Sequence, residues 1–212
     1  MRDGAARPSP DTGVNDGNEQ ANDKGLAFRS AIANDPVAPK YAPGDFDVTV
    51  IVYSDYQCPY CRKLHPELER LIGQDKRVRI VYRDWPIFGA GSVEAARAAI
   101  ASQWQGKHAA FDDALMTTGG RLNSAKIKAA AIKAGVNWTR LQRDLRLHKA
   151  DIDGLLARTN RQAETIGLQG TPAILIGPYF ASGTLTYSQL IQAVALARKF
   201  NRENPKAALK QK

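Results

Sequence analysis

Val48-Thr49-Val50-Ile51-Val52-Tyr53-Ser54-Asp55-Tyr56-Gln57-Cys58-Pro59-Tyr60-Cys61 is the stretch whose reading decides the fold. Its first half is a β-branched and aromatic run, the pattern of a buried strand. After it, Leu64, Leu68, Leu71 and Ile72 recur at helical spacing and stop at Gly73. A strand therefore turns into a helix at Cys58-Pro59-Tyr60-Cys61, with Pro59 suited to the first helical position. Cys58 and Cys61 are the only two cysteines among 212 residues. Two thiols three residues apart at the start of a helix form a minimal device for exchanging a dithiol with a disulfide.

That position sets the chemistry of the sulfurs. Free backbone N–H groups and the macrodipole at a helix start favour negative charge. Cys58 falls at the cap and Cys61 about one turn further, on the same side. Thiol pKa values at such sites drop to about 3.5–7.5 from about 8.5. A stabilised Cys58 thiolate favours the reduced state and makes the disulfide the stronger oxidant; Cys61 becomes the resolving thiol. Arg62 and Lys63 add exposed positive charge of small effect. A structural disulfide would close a four-residue loop for roughly 2 kcal/mol, a small gain for a chain long enough to bury a good core. Zinc needs further ligands, and His65, His108 and His148 lack ligand spacing. No metal and no cofactor is expected.

Composition bounds the partners. The chain is 43% hydrophobic and 24% charged with a net charge of +9, an ordinary balance for a soluble protein, and its length fits one domain of moderate size or one domain carrying an insertion. No Arg/Lys cluster is interleaved with aromatics, so a solvated basic surface is expected rather than a nucleic-acid face. The longest charge-free stretch, Thr165 to Ala197, is interrupted by Pro172, Gly177, Pro178 and Gly183 and reads as strands plus a helix, not a membrane span. Met1 to Lys24 is rich in Asp, Asn, Gly and Pro, has no apolar signal core, and is expected to be disordered. This fits a cytosolic chain or a mature exported form.

Outward from the motif the elements alternate. One short helix is expected around residues 27–33, then a strand from Asp45 to Tyr53, the cysteine helix, and a strand over Val78–Tyr82 ended by Asp84-Trp85-Pro86. About 80 helical residues follow. Ser92 is expected to open a helix with Val93, Ala96, Ala99 and Ile100, and another holds Phe111 and Leu115. Ser124 caps a third with Ile127, Ala131 and Ala134, stopped by Gly135; Asn137 caps a fourth with Leu141 and Leu145. Ile152, Leu155, Leu156 and Ile166 mark the last of the block. Strand character returns at Ala173–Ile176 with a hairpin partner near Gly183, and Thr186-x-x-Gln189 is a capping box opening a final helix with Leu190, Val194 and Ala197.

Thr171-Pro172 stands directly before the third strand, where proline is tolerated. Alone it is an ordinary loop proline. With Tyr53–Cys61 and Tyr82-Arg83-Asp84-Trp85-Pro86, the segment Gly170-Thr171-Pro172-Ala173 resembles the DsbA-like thiol–disulfide oxidoreductases over roughly residues 45–198. The resemblance implies an α/β thioredoxin fold with an inserted all-helical subdomain: a flexible arm at 1–42, a thioredoxin-like domain at 43–86 and 167–201, the insertion at 87–166 and a tail at 202–212. It implies Cys58 as the exposed nucleophile, Cys61 as its partner, and Pro172 as a cis-proline facing them. Pro59, Tyr60, Thr171 and Pro172 would tune the potential and bind the substrate backbone. Thr171 resembles the isomerase and ScsC-like branches as well as the oxidases.

The function so implied is exchange of the Cys58–Cys61 disulfide with cysteines of unfolded or misoxidised exported proteins, with net oxidation favoured. A membrane or soluble redox partner would recycle the pair, in the periplasm or outside the cell, without membrane insertion or nucleic-acid binding. Related folds often carry a buried acid six residues before the first cysteine; this chain has Val52 there, and Asp55 reads as a strand-end turn residue. Isomerase or reductase action, Cu(I) binding by the two thiols, and a chaperone role are the alternatives.

Overall fold

The computed structural model describes the backbone of residues 16–205 and the side chains of residues 25–205. Its centre is a sheet of β1 (Lys40–Tyr41), β2 (Val48–Ser54), β3 (Val78–Asp84), β4 (Ala173–Ile176) and β5 (Tyr179–Ser182), in the order β1-β3-β2-β4-β5. β2 and β3 are parallel, and every other pairing is antiparallel. Parallel neighbours need a crossover, here α2 (Pro59–Gln74).

β2 is apolar almost throughout because both of its faces are covered. Val48, Val50 and Val52 pack with Ile80, Tyr82 and Ile174 against Leu64, Leu68 and Leu71 of α2 and against Leu190 and Val194 of α8 (Tyr187–Glu203). Ile51 and Tyr53 point the other way, toward Ile32 and Ala33 of α1 (Asp16–Ala33) and toward the helical insertion. That insertion runs between β3 and β4 as α3 (Ala90–Ser102), α4 (His108–Met116), α5 (Ser124–Lys133), α6 (Trp138–Leu147) and α7 (Lys149–Thr165). The fold is α/β, a thioredoxin-type sheet with a helical block inserted.

Several expectations need correction. The arm assigned to residues 1–42 is ordered in its described part. α1 starts at Asp16 rather than near 27, its end is fully buried at Ile32 and Ala33, and Lys40–Tyr41 forms edge strand β1 on β3. Asp35 explains the anchoring: its carboxylate is held by Arg83, itself 0% exposed, and by Arg158 of α7. Residues 1–15 and 206–212 lie outside the described part. The basic surface is also incomplete as a description of the charge, since Arg79 and Arg83 on β3 are wholly buried. β2 begins at Val48, not Asp45. α5 is capped by Asn123, whose side chain accepts from Lys126 N, rather than by Ser124, and α3 starts at Ala90 instead of Ser92. The Thr186–Gln189 capping box is present as read.

Candidate active site

Cys58 is the N-cap residue of α2, with Pro59 in the first turn, so the strand-to-helix reading places both thiols at the helix mouth. Both are free thiols. Thr171 and Pro172 arrive from the far side of the sheet, joined by a cis peptide bond. Cys58 Sγ donates to the Thr171 carbonyl at 3.2 Å. The Thr171 hydroxyl is buried with no hydrogen-bond partner among the described residues, so it is free to donate once Cys58 ionises. Cys61 Sγ accepts from the Asp55 amide at 3.5 Å.

The two sulfurs are driven apart. The hydrogen bond from Cys61 brings the Cys58 thiol down from 9.0 to about 5; burial opposes, and the Thr171 hydroxyl and the amides of Cys61 and Tyr60 assist. Burial, then donation to Cys58, pushes the Cys61 thiol far up. The neighbouring S–H is thus the first contributor, and the amides of the helix start add to it. Cys58 is 1% exposed rather than the exposed nucleophile expected, because it is tucked against Thr171 under the motif turn. Pro59 and Tyr60 above it are exposed, Tyr60 to 63%.

Sequence reasoning undervalued Asp55. It is buried, and its carboxylate accepts from Gln57 N, Ile87 N, Phe88 N and the Ser92 hydroxyl at 2.6–3.0 Å. Four donors on one carboxylate fix the loop after β3 beside the cysteines. Gln57 ties the same corner to the insertion, donating to Phe88 O and accepting from Leu122 N. Ile87 and Phe88, whose amides Asp55 holds, have exposed side chains, as does Tyr60 within the motif.

A second group was missed altogether. Asp84 at the end of β3 and Asp112 on α4 are buried, and burial pushes both carboxyls up, Asp112 to about 6 and Asp84 well beyond the carboxylate range. Tyr56 donates to Asp112 at 2.9 Å, and His65 of α2 sits 3.5 Å from its other oxygen. Nothing local marks these residues: an aspartate on a helix reads as solvated until the fold buries it. Among the described residues no cluster of three or more His, Cys, Asp or Glu suits a metal ion.

The sequence matches the DSBA-like thioredoxin domain family over residues 49–195. A thioredoxin-like oxidoreductase from Silicibacter pomeroyi DSS-3 is 40% identical, with 81% of this chain and 98% of that one covered at a TM-score of 0.76. A periplasmic thioredoxin-like protein from Salmonella enterica serovar Typhimurium is 27% identical, covering 82% of this chain and 97% of that one, with a TM-score of 0.74. The Na(+)/H(+) antiporter NhaA 1 of Salinispora arenicola is 28% identical over 77% of this chain, which spans only 25% of that antiporter's length. No described helix is long and apolar enough to cross a membrane.

Proposed function

The chain belongs to the DSBA-like thioredoxin domain family, and we propose that it is a protein thiol–disulfide oxidoreductase whose net direction is oxidation of its substrates. The split between the two thiols carries the reading. A Cys58 held near 5 beside a Cys61 held far up leaves one sulfur ready to ionise and leave, and one that keeps its proton. A substrate thiolate attacks Cys58 of the disulfide and forms the mixed disulfide, while Cys61 leaves and takes up a proton. A second substrate thiolate then displaces Cys58 as a stable thiolate, so electrons flow from substrate to enzyme.

Pro59, Tyr60, Thr171 and Pro172 form the rim of this reaction. The exposed Tyr60, Ile87 and Phe88 give it an apolar surface suited to unfolded cysteine-containing chains. Because Cys58 is covered, the rim must yield when a substrate docks. Action outside the cytoplasm, with a membrane or soluble partner reoxidising the pair, is supported by the similarity to the periplasmic Salmonella protein.

Cys58→Ser is expected to abolish oxidation of a reduced model substrate, and Cys61→Ser to accumulate mixed disulfides seen by mass. Parental turnover by the Cys58→Ser protein would sink the assignment. Equilibration in glutathione buffers, read by alkylation and mass, distinguishes oxidase from isomerase or reductase. A Cu(I) carrier would instead bind one ion tightly to the dithiol and exchange disulfides slowly.

A further inference from the structure

Cys61 keeps its proton in the dithiol partly because the Cys58 sulfur accepts it. When Cys58 is bonded to another cysteine that acceptor weakens, yet Cys61 must lose its proton to attack. Cys61 is 2% exposed, so bulk solvent has little access to it. It does line one narrow cleft, whose room for a water centre is ≈ 10 Å³, about one water molecule.

The walls of the cleft limit the choice of acceptor. Val52, Leu64, Leu68 and Met116 have no basic atom. Tyr82 is pushed well above its ordinary value and holds its proton at neutral pH. The Ser54 hydroxyl is no base in that range, and Glu69 is exposed. Asp112 is the one buried carboxylate of this lining, set on α4 with the His65 imidazole beside it.

We infer that Asp112, set on the helical insertion and oriented by Tyr56 and His65, takes the Cys61 proton through this cleft when the mixed disulfide resolves and returns it in the reverse step. The Cys61 S–H bond breaks and its proton passes to the Asp112 carboxylate. The Cys61 sulfur bonds to Cys58 Sγ, the bond from Cys58 to the partner sulfur breaks, and the partner leaves as thiolate. The cysteine pair is oxidised and the partner sulfur reduced. Val52 stands on the strand wall of the same cleft, so the acid faces the sulfur from the insertion instead.

The electrostatics suit the task. Burial raises the Asp112 carboxyl to about 6, with Glu69 of α2 and Asp113 of α4 adding to the rise. His65 of α2 and the Tyr56 hydroxyl pull it down. From β3, Asp84 and Tyr82 interact with it as well. At pH 7 the group is mainly ionised and able to accept, and an acceptor with a pKa near the working pH transfers protons efficiently.

The inference rests on the oxidoreductase reading, and its test separates the two. The probe is 5,5′-dithiobis(2-nitrobenzoate) with the full reduced chain, followed by stopped flow from pH 4 to 9. The first thionitrobenzoate released reports attack by Cys58, the second attack by Cys61. The second rate should rise through an inflection near 6 in the parent. In Asp112→Asn it should fall about 10²-fold at pH 7, lose the inflection and climb with hydroxide, while the first rate stays within about 2-fold. His65→Gln, which keeps the carboxylate but removes the larger of the two influences that lower its pKa, should move the inflection upward. No first release in the parent would defeat the oxidoreductase reading. A normal first release with a second step unchanged in Asp112→Asn, or an inflection unmoved in His65→Gln, would overturn the assignment of Asp112.

Discussion

Replacing Cys61 with Ala removes the S–H that contributes most to ionising Cys58. A hydrogen bond to a charged group contributes about 1.5–3 kcal/mol, and one pKa unit corresponds to about 1.4 kcal/mol. The Cys58 thiol should therefore rise by about 1–2 units from its value of about 5. At pH 5 the thiolate fraction would drop from about one half to about 1–9%. Cys61→Ser keeps a donor at the same place and should shift the titration far less. Both variants contain a single thiol, so thiolate absorbance at 240 nm between pH 3 and 9 reads Cys58 alone. Iodoacetamide labelling of the folded protein tests whether the covered sulfur can be reached. If the Ala variant still titrates near 5, the helix start and Thr171 do the ionising. If the parent titrates near 8.5 or resists labelling altogether, the geometry has been misread.

The pH dependence of stability follows from the same thiol. Its folded pKa lies below the unfolded one, so it stabilises the reduced form above the unfolded pKa, and the gain is lost as pH falls through about 5. The oxidised form lacks this group, so melts of the two forms should diverge in favour of the reduced one by about 2–3 kcal/mol between pH 5 and 7; parallel curves would contradict it. Asp55→Ala strips four donors of their acceptor and should cost about 2–4 kcal/mol in urea unfolding, against under 0.5 kcal/mol for a solvated turn residue. Gly91→Ala reverses the usual helix preference. Its Cβ would meet the Leu122 carbonyl oxygen at 2.5 Å, so a loss of about 1–3 kcal/mol is expected where an open site would gain, and thermal melting gives the sign.

What the chain discloses in advance depends on whether a neighbour in sequence or a neighbour in space decides the structure. β2, α2 and the capping box of α8 rest on local pattern, and they were legible. β1 is two residues long and carries no period; it forms because Tyr82 N donates to Pro39 O and Lys40 faces Val81. α1 has a polar first half that reads as disorder, yet its last turn is fixed by burial of Ile32 and Ala33. The two thiols were visible because nothing else in the chain competes for their pairing. Asp112 was invisible because it lies 51 positions beyond Cys61, and only the packing of α4 against α2 brings it to the same cleft.

The splitting of the thiols also fixes how the redox couple responds to acid. Reducing a disulfide to two neutral thiols takes up two protons with two electrons, so the potential falls by about 59 mV per pH unit. If Cys58 is already a thiolate, one proton accompanies the two electrons, and the slope halves to about 30 mV per unit. The break belongs at about pH 5, where Cys58 takes on its proton. No further flattening of the slope is expected up to pH 8, because Cys61 stays protonated there. At pH 7 the ionisation contributes about 2.7 kcal/mol toward the reduced state, or about 60 mV of added oxidising power. The direction of electron flow is thus tied to a titration, and both can be read from one series of glutathione equilibria, corrected for the buffer's own slope. A constant slope near 59 mV from pH 4 to 8 would mean that Cys58 is protonated throughout, and net oxidation would lose its physical basis.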